Sequence, residues 1–187
     1  MSNSPYVRPA DHACVLVLSG PVCAGKTTLA HVLVGAGMTR FSTRDLLLAV
    51  TDDEARDRLT LQWLGERLDR EHGGRWVVDA LRRVASPGHH VVVDSIRTAD
   101  QLSALRGVAD VVHCHLWAPR SVLERRQTER HEQDPAFEPQ SYERILASET
   151  ERRVMKLARD ADIVVNTKHF SPPAVAAAVS ALLGLSR

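Results

Sequence analysis

The chain has 187 residues, of which 44% are hydrophobic and 25% are charged, and its formal net charge at pH 7 is +1. These values are typical of one soluble globular domain of ordinary size. They argue against binding to nucleic acid or to a membrane through a strong overall charge, and no apolar run reaches the roughly 18 residues that would span a bilayer.

The first residues and the cysteines indicate a cytoplasmic protein. Residues 1–12 hold no apolar stretch of signal-peptide length, and we interpret them as a flexible arm ahead of a single domain at 13–187. Cys14, Cys23 and Cys114 are an odd set without C-x-x-C spacing. We therefore expect neither a disulfide framework nor a structural zinc site.

Five short apolar segments, rich in valine and without strict alternation, predict strands that are buried on both faces of a parallel sheet. In chain order they are residues 13–20, 38–41, 89–94, 110–117 and 161–166. Segments with helical periodicity lie between and after them, at residues 26–34, 99–105, 121–130, 142–158 and 173–183. The alternation predicts an α/β fold with right-handed crossovers.

The connection over residues 42–88 is too long for one crossover helix. Leu61, Leu64 and Leu68 share one helical face, a second apolar face follows after residue 76, and the sequence HGG at 72–74 separates the two. The pattern predicts an inserted helical cap.

A phosphate-binding loop follows the first predicted strand. Residues 20–27, GPVCAGKT, match G-x-x-x-x-G-K-[ST] and precede a predicted helix, which is the context that this motif requires. Backbone N–H groups of such a loop surround phosphate oxygens, Lys26 reaches the β- and γ-phosphates, and the Thr27 hydroxyl binds Mg²⁺. The predicted cofactors are therefore ATP and Mg²⁺. The predicted donor-binding residues of the loop are Gly20, Val22, Cys23, Ala24, Gly25, Lys26, Thr27 and Thr28.

Later segments resemble P-loop kinases that act on nucleotides. FSTRDLL (41–47) resembles the segment after the second strand of adenylate kinases, and residues 91–106 resemble the Asp-x-x-Arg stretch of related nucleotide kinases. Residues 58–77 are similar to the cap of phage-type deoxynucleoside monophosphate kinases. Residues 116–130 and 157–167 resemble the lid and last strand of the dephospho-coenzyme A kinase group.

This resemblance implies a three-layer P-loop kinase fold. Its five-strand parallel sheet would have the order 2-3-1-4-5, with residues 42–88 as the acceptor-binding cap and residues 125–139 as a lid. Asn166 and the residues that follow it resemble the loop that contacts the adenine base in this kinase group. The alternative is an ordinary turn at the end of the last strand.

The expected substrate-binding residues are Ser42, Arg44, Asp45, Asp94 and Arg97. Ser42 and Asp45 have the spacing of a helix cap pair, and under the resemblance Arg44 would face the acceptor phosphate. Asp94 ends the third predicted strand and Arg97 follows it, so both are expected at the carboxyl edge of the sheet, where open α/β folds bind ligands. Asp94 would hold Mg²⁺ together with Thr27 or act as a base.

Arg126 and Arg130 lie four residues apart and share a helical face ahead of a polar loop that contains proline. As lid arginines they would stabilise the charge on the transferring phosphoryl group. The alternative is an ordinary charged helix that is paired through Glu129 and Glu132. The predicted catalytic residues are Lys26, Arg97, Arg126 and Arg130.

The arginine set favours an acceptor that is already ionised near neutral pH, so the first hypothesis is an ATP- and Mg²⁺-dependent nucleoside or deoxynucleoside monophosphate kinase. Asp45 and Asp94 leave open a kinase that acts on a small-molecule hydroxyl group, such as a dephospho-coenzyme A kinase-like enzyme. A nucleotide-binding regulatory ATPase is a third possibility. The expected partner is a small-molecule acceptor; the near-neutral charge disfavours nucleic acid, and the oligomeric state is not determined by the sequence.

Overall fold

A computed structural model describes residues 13–51, 58–133 and 142–184. The predicted arm at residues 1–12 and residues 134–139 of the predicted lid lie outside these described parts. The described residues form a five-strand parallel sheet in the order β2-β3-β1-β4-β5. The strands are β1 (Val15–Ser19), β2 (Thr39–Ser42), β3 (Val91–Asp94), β4 (Val111–Trp117) and β5 (Ile163–Asn166). The sheet order implied by the family resemblance is therefore confirmed.

The helices lie between and after the strands. They are α1 (Lys26–Gly35), α2 (Thr43–Ala49), α3 (Arg58–His72), α4 (Arg75–Val84), α5 (Ala99–Arg106), α6 (Arg120–Gln133), α7 (Tyr142–Ala147), α8 (Glu149–Lys156) and α9 (Pro172–Leu182). A short 3₁₀ helix, Leu157–Asp160, leads into β5. In the described part of the chain, no helix has both the length and the apolar character needed to cross a membrane.

The sheet is covered on both faces, which explains why its strands are almost entirely apolar. Leu16 and Leu18 of β1 pack in one cluster with residues of α1 and α9. Val15 and Val17, which point to the opposite face, pack in a second cluster with residues of α4 and α5. The result is the three-layer arrangement expected from the sequence.

The inserted segment forms α2, α3 and α4, as the two apolar faces predict. Leu61 is buried, and Leu64 and Leu68 pack against the same cluster as Val77 and Leu81 of α4. The cap therefore lies on the α4/α5 side of the sheet, beside the carboxyl ends of β2 and β3.

One predicted helix is divided. Residues 142–158 do not form a continuous helix, because Ser148 has an extended backbone and its Oγ accepts a hydrogen bond from the Glu151 N–H. Ser148 thereby caps a new helix, α8, since a serine hydroxyl satisfies a first-turn N–H that otherwise lacks a partner. The division points α8 toward the phosphate loop.

Candidate active site

All the residues that the sequence predicts for the acceptor line one cavity of about 1090 Å³. The cavity lies where the parallel strands end, and it is bordered by the phosphate loop, α2, α3, the β3–α5 loop and α6. The residues concerned are Ser42, Arg44, Asp45, Asp94 and Arg97. Residues 22–28 of the phosphate loop open into the same space.

The backbone of the phosphate loop requires glycine at its start. Gly20 has φ 136°, and a Cβ atom placed there would lie 2.0 Å from the backbone oxygen of Leu116. Gly25 has φ 92° at the N-cap of α1, and Cys23 also has a positive φ of 63°. The loop thus forms a backbone concavity at a helix N-terminus, an arrangement that binds anions.

Lys26 lies folded over this loop. Its Nζ donates hydrogen bonds to the backbone oxygens of Gly20 and Pro21, both at 2.7 Å. Burial, and secondarily the positive charge of Arg97, lower the pKa of Lys26 to about 8. A phosphate group beside the ammonium would reverse this effect, because an opposite charge favours the protonated form.

The predicted metal residues meet at the end of β3. The Thr27 Oγ1 hydroxyl lies 3.4 Å from Asp94 Oδ1, and Asp94 is 5% exposed. Hydroxyl and carboxylate oxygens are suitable ligands for Mg²⁺, which usually keeps several waters and takes substrate phosphates as further ligands. The described residues hold no group of three or more His, Cys, Asp and Glu that would enclose a metal.

Arg40 is a site residue that sequence reasoning missed. Its Nε and Nη2 donate to Asp94 Oδ2 at 3.2 and 2.8 Å, and its Nη1 donates to Asp45 Oδ2 at 2.9 Å. These carboxylates raise the pKa of Arg40 against the opposing effect of burial. Since Arg40 takes only Oδ2 of Asp94, it leaves Oδ1 turned toward Thr27.

Glu151 is a second missed residue. This carboxylate is 1% exposed, and its Oε1 accepts from Arg97 Nη1 at 3.0 Å while its Oε2 accepts from the Val22 N–H at 3.2 Å. Its S-x-x-E spacing from Ser148 is that of a capping box, so sequence reasoning alone would have assigned its side chain to a helix end. No local signal indicates its contact with the phosphate loop.

A hydrogen-bond network in the wall of the cavity holds the backbone of Arg97. The Arg97 N–H donates to Gln101 Oε1 at 2.8 Å, and Gln101 Nε2 donates to both carboxylate oxygens of Asp69 at 3.0 Å. Trp76 Nε1 and Thr98 Oγ1 donate to the same carboxylate. Arg97 therefore leaves the sheet from a fixed backbone position.

The remaining predicted residues lie as follows. Arg126 donates to Thr167 Oγ1 at 2.9 Å and Thr167 O at 2.8 Å, and also to Cys23 O at 3.2 Å, so it joins the phosphate loop to the loop after β5. Arg130 lines the cavity further along α6. Asn166 does not line the cavity; its Oδ1 accepts from the Lys168 N–H at 3.0 Å.

The expected cap pair is confirmed. Ser42 caps α2, and its Oγ accepts from the Asp45 N–H at 3.1 Å. Next to it, Thr43 Oγ1 donates to the backbone oxygen of Ser95 at 2.6 Å, which ties α2 to the end of β3. The first turn of α2 is thus held against the cavity.

The chain is similar in sequence to known proteins. A model of the AAA domain family matches residues 15–147. A UPF0200 protein of Pyrobaculum aerophilum is 29% identical over 133 residues, which cover 71% of this chain and 73% of that protein.

Two solved structures share the fold at low sequence identity. The Mycobacterium tuberculosis APS kinase CysC, in complex with AMPPNP and APS, has a TM-score of 0.60 and 17% identity, with 92% of this chain and 98% of that chain covered. Shikimate kinase from Acinetobacter baumannii, in complex with shikimate, has a TM-score of 0.55 and 16% identity, with 94% and 97% covered. With its phosphate loop, its 2-3-1-4-5 sheet and a family match over most of its length, the chain belongs to the AAA domain family and has the P-loop kinase fold.

Proposed function

We propose that this protein is an ATP- and Mg²⁺-dependent phosphotransferase that moves the γ-phosphoryl group of ATP to a small-molecule acceptor. The observation that carries the proposal is the shared cavity: the phosphate loop with Lys26 opens into the same space as Arg97, Asp94 and the helical cap. A donor and an acceptor bound there would have their reacting groups side by side. The likeness to APS kinase and shikimate kinase supports the same reaction class.

For the acceptor we propose a nucleoside or deoxynucleoside monophosphate. Arg44, Arg97 and Arg130 line the cavity on the acceptor and lid sides. An acceptor phosphate is already ionised and needs its charge neutralised before it attacks another phosphate. Arginine suits this role because its planar group binds phosphate oxygens in pairs.

A hydroxyl acceptor is the second candidate, and the pairing of the arginines favours it. Arg40 is bound to Asp94 and Asp45, and Arg97 is bound to Glu151, so carboxylates already neutralise part of the positive charge in the cavity. Asp45 lines the cavity with an exposed side chain. A carboxylate in that position would take the proton of an attacking hydroxyl group.

The proposed reaction needs positioning and charge stabilisation. The acceptor oxygen forms a bond to the γ-phosphorus while the bond from that phosphorus to the β–γ bridging oxygen breaks, which leaves ADP. Lys26 would move from the loop carbonyls to the β- and γ-phosphates. Arg97 would hold the acceptor, and Arg126 and Arg130 would approach the transferring group from α6.

Thr27 and Asp94 would hold Mg²⁺, Asp94 most simply through a bound water. The ion, when bound, neutralises charge on the β- and γ-phosphates. Arg40 would keep the Asp94 carboxylate in the orientation described above. A soluble acceptor and ATP as donor fit the cytoplasmic location inferred from the sequence.

The test is an assay of coupled ADP release with MgATP against ribo- and deoxyribonucleoside monophosphates, dephospho-coenzyme A, free nucleosides and small polyols. We expect turnover with one monophosphate and at least a hundredfold loss in Lys26→Ala, since that change removes the cation from the donor phosphates. Turnover with a hydroxyl acceptor, abolished by Asp45→Asn, would select the second candidate. A silent panel beside slow, Lys26-dependent ATP hydrolysis would contradict both.

A further inference from the structure

We propose that Glu151 is a positioning residue that joins the donor loop to the acceptor arginine, so that Arg97 is oriented for the acceptor only while α8 is docked on the phosphate loop. The inference rests on the proposed phosphotransferase activity. It deepens that proposal by assigning a role to α8. The sequence predicts arginines and Lys26 as the catalytic residues, whereas this inference adds a buried carboxylate.

The two oxygens of Glu151 serve two different parts of the site. Oε1 accepts from Arg97 Nη1 at 3.0 Å, on the acceptor side, and Oε2 accepts from the Val22 N–H at 3.2 Å, on the donor side. The carboxylate is 1% exposed, so bulk water has little access to it. One buried group thus sets the distance between the phosphate loop and the guanidinium.

Arg97 remains accessible in this arrangement. Only its Nη1 bonds to Glu151, while its side chain is 38% exposed and lines the cavity. Its backbone is held separately through Gln101 and Asp69. With the backbone and one nitrogen fixed, the rest of the planar group has a defined direction into the cavity, which is the condition for paired contacts with a phosphate.

The helix that carries Glu151 is anchored to the cap as well. Thr150 is buried, and its Oγ1 donates to Glu66 Oε1 of α3 at 2.7 Å. Ser148 caps the helix one turn earlier. The first turn of α8 therefore contacts the phosphate loop, the β3–α5 loop and the helical cap through adjacent residues.

The isosteric change Glu151→Gln tests whether Glu151 acts through its two hydrogen bonds or only through its packing. A glutamine has one acceptor oxygen, and its NH₂ group is a donor, whereas the Val22 N–H and Arg97 Nη1 are both donors. Whichever way the amide turns, one of the two hydrogen bonds is replaced by a donor facing a donor. The substitution keeps the shape of the side chain and removes one of its two hydrogen bonds, which breaks the link between the phosphate loop and Arg97.

The experiment compares Glu151→Gln with Glu71→Gln, which makes the same chemical change in an exposed ion pair with Arg67 on α3. Dissociation constants for AMPPNP are measured by calorimetry and kcat/KM for the acceptor by ADP release, below the melting temperature of every variant. We expect Glu151→Gln to lower kcat/KM for the acceptor about ten- to a hundredfold, the effect of losing a hydrogen bond to a charged group. Its nucleotide dissociation constant should change less than threefold, and Glu71→Gln should change neither quantity.

A double-mutant cycle tests whether Glu151 acts through Arg97. In an Arg97→Met background, Glu151→Gln should lower kcat/KM no further, because the residue that it positions is absent. An equal loss in both backgrounds would overturn the inference. So would tighter nucleotide binding by Glu151→Gln, which would mean that the carboxylate competes with a donor phosphate for the Val22 N–H.

Failure of the proposed function is distinguishable from failure of this inference. If the wild-type protein phosphorylates no acceptor, the proposed function fails, and the link is read instead from hydrogen exchange of the Val22 amide. Arg97→Met should then accelerate that exchange, since Glu151 loses the partner that holds it on the loop, and Glu71→Gln should not. Unchanged exchange in Arg97→Met would overturn the link itself.

Discussion

At the scale of single residues, three buried polar side chains lie directly behind the phosphate loop. Ser19 Oγ is 2.7 Å from His113 Nε2 and 2.8 Å from His115 Nδ1, and both imidazoles are almost fully buried in β4. Burial, followed by the positive charges of His113 and Lys26, lowers the pKa of His115 to about 4. Burial also lowers the pKa of His113.

Because of these buried histidines, we expect the folded protein to lose stability as the pH falls. A histidine whose pKa is lower in the folded than in the unfolded state stabilises the fold fully above about pH 6.5, and this contribution is lost as the pH falls toward 4 because the unfolded chain binds the proton more tightly. We expect His115 to account for about 2 to 3 kcal/mol of the stability lost between pH 7 and pH 4.

The measurement is urea unfolding across that pH range. His115→Gln should be less stable than the wild type at pH 7 and should show a shallower decline on acidification, whereas His31→Gln, at an exposed site on α1, should follow the wild-type curve. Parallel curves for His115→Gln and the wild type would contradict the assignment.

Two arginines that line the cavity form ion pairs with buried carboxylates. Arg40 and Arg97 both hold buried carboxylates, Asp94 and Glu151, that are costly to leave without a partner. The same side chains therefore support the fold and orient the site. Their exposed atoms are the ones available to a ligand.

At the scale of elements, α4 approaches α5 closely at the residue that precedes it. Gly74 precedes α4 with φ 75°, and a Cβ atom there would lie 2.5 Å from the backbone nitrogen of Gln101 and 2.6 Å from the carbonyl carbon of Asp100. Gly73, directly before it, has φ 55° and nothing within 4 Å of such an atom. The two glycines share a left-handed backbone and differ in the space around them, so Gly73 is a control for Gly74.

Gly74→Ala should therefore destabilise the protein much more than Gly73→Ala. The left-handed backbone alone costs alanine about 1 kcal/mol, which is all that Gly73→Ala should lose. Gly74→Ala adds a clash with backbone atoms and should lose about 3 kcal/mol or more. Chemical unfolding of both variants gives the comparison, and equal losses would mean that α4 shifts away from α5 without cost.

At the scale of the whole molecule, the phosphate loop belongs to the same folded unit as the cap. The loop contacts α8 through Val22, α8 contacts α3 through Thr150, and Arg126 joins the loop to the residues after β5. A nucleotide bound at the loop should therefore stabilise the whole domain and not only α1.

The corresponding prediction concerns thermal unfolding. At a MgATP concentration a hundred times its dissociation constant, binding contributes about 2.7 kcal/mol, which corresponds to an increase in Tm of roughly 5 to 10 °C for a chain of this size. Lys26→Ala should remove most of that increase, and EDTA should reduce it in the wild type. An increase of the same size in Lys26→Ala would show that the nucleotide stabilises the protein from elsewhere.

Much of this architecture could be predicted from the linear sequence, because its signals are local. Valine-rich runs indicate doubly covered strands, the leucine spacing of the cap indicates α3, and the phosphate loop depends on backbone geometry that its glycines permit. Ser42 and Asp45 are three residues apart and form the expected cap. In each case the interacting groups lie within one or two turns of chain.

The long-range partners of the cavity residues could not be predicted from the sequence. Glu151 is 129 residues from Val22 and 54 from Arg97, and Arg40 is 54 residues from Asp94. A single charged residue does not indicate which distant residue it will pair with. The spacing of Ser148 and Glu151 predicts a capping box, in which the Glu151 side chain would bond to the start of α8 and not to Arg97 and Val22. Those pairs exist because the parallel sheet brings the ends of β1, β2 and β3 to one edge, where burial makes an unpaired charge too costly to keep.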